Sequence, residues 1–133
     1  MLNTFPQLLT YSFFAPTLLR ITAALTLLFI VWRMQQTKEQ ILATELPIIG
    51  KPATWMILLS MALTGLAGVG LFLGYYTQIA AIVGMVIALK HGLFANRYPK
   101  VIPLSKAAYI FLFVMCLSLL LTGAGALAFD LPL

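Results

Sequence analysis

Between Pro52 and Leu89 no side chain carries a charge, and turn-forming residues interrupt the run at one place, Gly74-Tyr75-Tyr76-Thr77. As a single helix this run would be about 57 Å long at 1.5 Å per residue, nearly twice the ~30 Å hydrocarbon core of a bilayer. Bent at Gly74 it becomes two bilayer crossings, at about 53–73 and 78–94, and a turn so short makes them antiparallel neighbours. The run therefore predicts a polytopic membrane protein.

Composition agrees. A chain of 133 residues that is 62% hydrophobic and 8% charged lies outside the soluble globular range, because a domain of this size has too little interior for that much apolar surface. Lipid can solvate it if every backbone amide is bonded internally. The polar/apolar alternation of an outer-membrane barrel is absent, so the spans must be helices. The expected fold is an all-α membrane protein, an antiparallel four-transmembrane-helix bundle in one domain covering 1–133, with spans at about 14–32, 53–73, 78–94 and 104–122.

The first 15 residues lack a charged side chain and mix Phe5, Tyr11, Phe13 and Phe14 with Pro6, which predicts an interfacial lead-in rather than a secretory signal. Pro16 suits the first turn of the first span, and Trp32 with Arg33 marks its far interface. Thr37-Lys38-Glu39-Gln40 fits a capping box that opens a short surface helix stopped by Pro47, with Ile41, Leu42 and Leu46 resting on the membrane; an ordinary connecting loop is the equal alternative. Gly65, Gly68, Gly70 and Gly74 give the second span small residues. Ala80, Gly84 and Ala88 give the third a four-residue repeat. Small residues let helix backbones approach closely in lipid, within one subunit as the first reading and across a homo-oligomer as the second. Pro99 and Pro103 keep the loop before the last span non-helical, and Thr122-Gly123-Ala124-Gly125 loosens the end of that span.

The net charge of +5 flanks the apolar segments, so it sets topology and meets lipid headgroups and does not form a nucleic-acid patch. Seven of the eight Lys and Arg residues (Arg33, Lys38, Lys51, Lys90, Arg97, Lys100 and Lys106) fall in loops 33–52 and 90–106. By the positive-inside rule these loops are cytoplasmic and both termini lie outside, in a multi-pass protein of the plasma or inner membrane.

The eighth cation, Arg20, lies inside the first span, where a charge is costly and marks a functional hypothesis. Asp130, Gln78, Tyr75 and Tyr76 come to the same level from other segments, making a polar cluster that is the candidate cofactor-binding site. Three readings of Arg20 stand, in this order: an ion pair with Asp130, snorkelling to headgroups, and a ligand-binding role. His91 beside Lys90 reads as a solvated interface residue, and the absence of a second His excludes a bis-histidine haem. The six Met residues read as apolar filler, Cys116 as a buried inert thiol, and Ser60 and Thr64 as hydroxyls bonded to their own helix. No metal site and no catalytic constellation is visible. No carboxylate lies between residues 52 and 129 to serve proton-coupled transport.

Three stretches resemble the DoxX-like family of integral membrane proteins. They are Leu18-Leu19-Arg20-Ile21, the run Gly65-Leu66-Ala67-Gly68 through Leu71-Phe72-Leu73-Gly74-Tyr75-Tyr76-Thr77-Gln78, and the tail from Leu121 to Asp130 with its Gly123-Ala124-Gly125. In this chain Thr64 stands where the family often has Glu, and Gln78 where it often has Arg. The first span ends Val31-Trp32-Arg33-Met34, so Arg20 and Asp130 are the family's polar positions retained here. The resemblance implies four helices and association with thiol or sulfur redox complexes, one related protein being a subunit of a thiosulfate:quinone oxidoreductase. It thus implies an accessory or anchor subunit, with other membrane or redox-complex subunits as partners. A quinone entering from the lipid would meet Arg20 or Tyr75. A small transporter or channel subunit and a non-catalytic scaffold are the alternatives.

Overall fold

The computed structural model describes residues 11–12, 14–45, 52–125 and 127–129. Their regular structure is helical: α1 (Ala15–Gln36), α2 (Lys38–Ala43), α3 (Thr54–Leu73), α4 (Thr77–Phe94) and α5 (Lys106–Thr122). By length and composition α1, α3 and α4 can each cross a membrane, and α5 is apolar and shorter at 17 residues. Residues 1–10, Phe13, Leu46, Pro47, Lys51 and Asp130 lie outside the described residues, and the expectations placed on them with them.

Pro16 sits in the first turn of α1, where its missing N–H would have had no helical partner anyway. The helix continues past Trp32 to Gln36, and this extension corrects the expected capping box. Thr37 closes α1 instead of bonding forward into α2: its backbone N–H and its Oγ1 both donate to Arg33 O, at 3.1 and 2.9 Å. Ile41 of α2 is buried, so it faces the protein core rather than lying on lipid.

The corner between α3 and α4 is fixed by Gly74. It ends α3 at φ +69°, its N–H donating to Leu71 O while Tyr75 N–H donates to Gly70 O. That pair of bonds satisfies the last carbonyls of α3 and needs a residue that tolerates the left-handed region. Tyr76 then takes φ +49°, also left-handed, and α4 starts at Thr77.

Helix α1 packs on α3 and α5, and α4 packs on the same two, so each long helix meets two others. The core is made of small and medium side chains: Ala23, Ala24 and Leu27 on α1, Ala67 and Leu71 on α3, Ala81 and Ala88 on α4, Leu112 and Cys116 on α5. Two glycines sit at close contacts within the chain. A Cβ on Gly68 would stand 3.1 Å from Leu28 of α1, and one on Gly84 would stand 2.9 Å from Cys116 Sγ of α5. Close approach of backbones is how helices gain packing energy where the surroundings are as apolar as the side chains.

The outward faces are apolar as well. Leu25 and Phe29 on α1, Leu66 and Phe72 on α3, Val86 and Leu93 on α4, and Phe111 and Leu121 on α5 are all exposed. Helices that are hydrophobic all round suit a lipid solvent and not water. The hydroxyls follow the same logic: Thr22, Thr26, Thr64 and Thr122 each donate to the carbonyl four residues back, at 2.7–2.8 Å. The fold is thus all-helical and its apolar helices fit a membrane-embedded protein.

Candidate functional site

Arg20 lies five residues into α1, on the face that also buries Thr17, Ala23 and Ala24. Its side chain is only 2% exposed. Nη1 donates to Ala124 O at 2.8 Å and Nη2 to Leu127 O at 3.0 Å, so the planar guanidinium spans two carbonyls of the tail that follows α5. This burial removes the snorkelling reading, because the charge points into the protein and not along its surface.

Two glycines make room for the arrangement. At Gly74 an added Cβ would come 2.5 Å from Arg20 Nη1 and 2.7 Å from Ala128 Cβ. At Gly125, with φ +71°, it would meet Pro16 Cβ at 2.8 Å and the Thr17 backbone N at 3.0 Å. The tail therefore folds back across the start of α1, and the α3–α4 corner closes over the guanidinium. Thr17 and Thr77 are buried at this end, 5% and 1% exposed.

The other members of the expected polar cluster are placed differently. Tyr75 and Tyr76 are more than half exposed and meet edge to face, ring centroids 4.5 Å apart. Gln78 is exposed one residue beyond the buried Thr77. Asp130 is outside the described residues, so the Arg20–Asp130 pair is too. The structure brings Arg20 together with Gly74, Ala124, Leu127 and Ala128. Sequence reasoning missed these partners because backbone carbonyls carry no residue signature.

At the opposite end of α4, His91 corrects the solvated reading. It is 8% exposed, its Nδ1 donates to Ile87 O at 2.9 Å, and its ring stacks on buried Tyr109 at 5.6 Å and 14°. Gly92, one residue on, passes close to Tyr109, a Cβ there standing 3.2 Å from Tyr109 Cβ. The adjacent Lys90 points to the other side and donates to Ser60 Oγ of α3 at 2.9 Å. Among the described residues no three His, Cys, Asp or Glu side chains gather as metal ligands.

Compared with known proteins, the chain matches no family model, no curated protein and no solved structure. Fold and site define a class on their own: an all-helical chain with apolar helices of membrane-crossing length and a buried arginine clasping its C-terminal tail.

Proposed function

We propose that this chain is a four-span membrane protein of the DoxX-like kind, an antiparallel bundle of α1, α3, α4 and α5. In this reading loops 33–52 and 90–106 are cytoplasmic and both termini are outside. Its role is that of an accessory or anchor subunit of a membrane-associated redox complex acting on thiols, sulfur compounds or quinones.

One observation carries the reading. The three stretches behind the resemblance, distant in sequence, meet at one place: Arg20 bonds to Ala124 and Leu127, and Gly74 packs against its guanidinium. An arginine directed at the chain's own carbonyls fixes architecture, which favours an anchoring role over catalysis, since catalysis needs a nucleophile, an acid–base pair or a bound cofactor. Chemistry would then reside in a partner subunit.

The test is purification from native membranes in mild detergent, followed by mass spectrometry of co-purified proteins and quinones. A stoichiometric partner carrying a redox group is the expected result. Recovery of the chain alone, together with unchanged quinol-dependent rates in membranes lacking it, overturns the proposal.

A further inference from the structure

A groove of about 480 Å³ runs between α3 and α4, within the range of ~300–1,000 Å³ typical of ligand-sized clefts. Its walls come from side chains four residues apart, Trp55, Leu59 and Leu63 on α3 and Ile82 and Val86 on α4. Rows at that spacing form ridges along a helix, and two facing ridges leave a trough between them. All five side chains are exposed, so the trough opens outward.

One end of the trough is polar. Lys90 Nζ donates to Ser60 Oγ at 2.9 Å, and among the described residues it makes no ion pair. An ammonium has three donors, so two remain for another acceptor. Lys90 lies four residues before the end of α4, about 6 Å by helical rise, and Trp55 opens α3 at the same end. If the helices span a bilayer, that height is where phosphates and ester carbonyls meet hydrocarbon, the level that Trp also favours. An exposed cation at that level, with apolar walls on one side, favours an anionic headgroup over a neutral one. The basic residues Arg97 and Lys100 follow in the next loop, Lys106 opens α5, and together they draw acidic lipids to the same face. A neutral apolar ligand would fill the trough and gain nothing from the ammonium at its end.

We infer that the α3–α4 trough binds an anionic phospholipid, one acyl chain lying between Leu59 and Val86 and the phosphate accepting from Lys90 Nζ. The inference rests on the membrane-spanning part of the proposed function and is independent of any redox partner.

Native mass spectrometry of the full chain in detergent, with phosphatidylglycerol or phosphatidylcholine added at equal concentration, tests it. The expected result is one tightly held phosphatidylglycerol, preferred by about fivefold over phosphatidylcholine, the worth of one interfacial cation. Lys90→Gln should abolish the preference, Lys90→Arg should keep it, and Lys38→Gln should leave it unchanged. Val86→Trp, which fills the trough, should reduce binding of both lipids. Each variant is first checked for wild-type helicity and a single elution peak. Equal binding of the two lipids by the wild type, or a preference that survives Lys90→Gln, overturns the inference. A chain that stays soluble without detergent would instead overturn the membrane reading beneath it.

Discussion

Replacing Gly74 by alanine adds one methyl group where the structure has room for none. The new Cβ would stand 2.5 Å from Arg20 Nη1, 2.7 Å from Ala128 Cβ and 2.8 Å from Ala128 Cα. Arg20 cannot yield without giving up its bonds to Ala124 and Leu127, and at Ala128 the new group meets a backbone atom rather than the end of a flexible side chain. The left-handed φ of +69° adds a second cost, since an L-residue there loses about 1–2 kcal/mol. Overpacking typically adds about 1–3 kcal/mol, so Gly74→Ala should destabilise the chain by roughly 2–5 kcal/mol. Unfolding by denaturing detergent in mixed micelles, followed by circular dichroism, measures this. Gly74→Asn separates the two terms, because asparagine tolerates the left-handed region: it should recover the backbone part and keep the steric part. Gly65→Ala is the control, lying mid-helix with its nearest neighbour, Val31, at 4.0 Å. It should be neutral or stabilising by up to ~1 kcal/mol, the helix propensity of alanine over glycine. Gly74→Ala within about 0.5 kcal/mol of wild type, the range of an uninvolved surface change, would refute the reasoning.

Other outcomes follow from the same contacts. Arg20→Ala should cost several kcal/mol, at roughly 1.5–3 kcal/mol for each bond to a charged donor, and should speed protease cleavage after Gly123; Arg20→Lys should rescue only part, lacking the two-pronged geometry. Gly84→Ala should destabilise by about 1–3 kcal/mol through its 2.9 Å approach to Cys116 Sγ, and a double variant with Cys116→Ala should be less damaged than the sum in the same unfolding assay. His91→Ala should lower stability by at least ~1 kcal/mol, losing the Tyr109 stack and the bond to Ile87, whereas a solvated residue would stay within about 0.5 kcal/mol.

The corners of this fold were legible in the chain because single residue types dictate them. Gly74 and Gly123 end α3 and α5 in conformations that favour glycine, and Pro16 marks the opening of α1. What the sequence concealed depends on which face a helix turns inward. His91 follows a lysine at the end of an apolar run, the usual mark of an interface, and only the approach of α5 puts Tyr109 over its ring. Arg20 stood out as a costly charge, yet the two acceptors described for its guanidinium are main-chain carbonyls, invisible to any reading of side-chain type. The capping box at Thr37 failed because α1 runs on to Gln36, leaving that hydroxyl beside the carbonyl of Arg33.

The central claim is that α3 and α4 are consecutive crossings of one bilayer, joined at the Gly74 corner. Single-cysteine labelling in a Cys116→Ala background tests it directly, with a membrane-impermeant maleimide applied to intact cells expressing Tyr75→Cys or Arg97→Cys. The account predicts that Tyr75→Cys is labelled from outside and Arg97→Cys only after the membrane is opened. Labelling of both from the same side would contradict it.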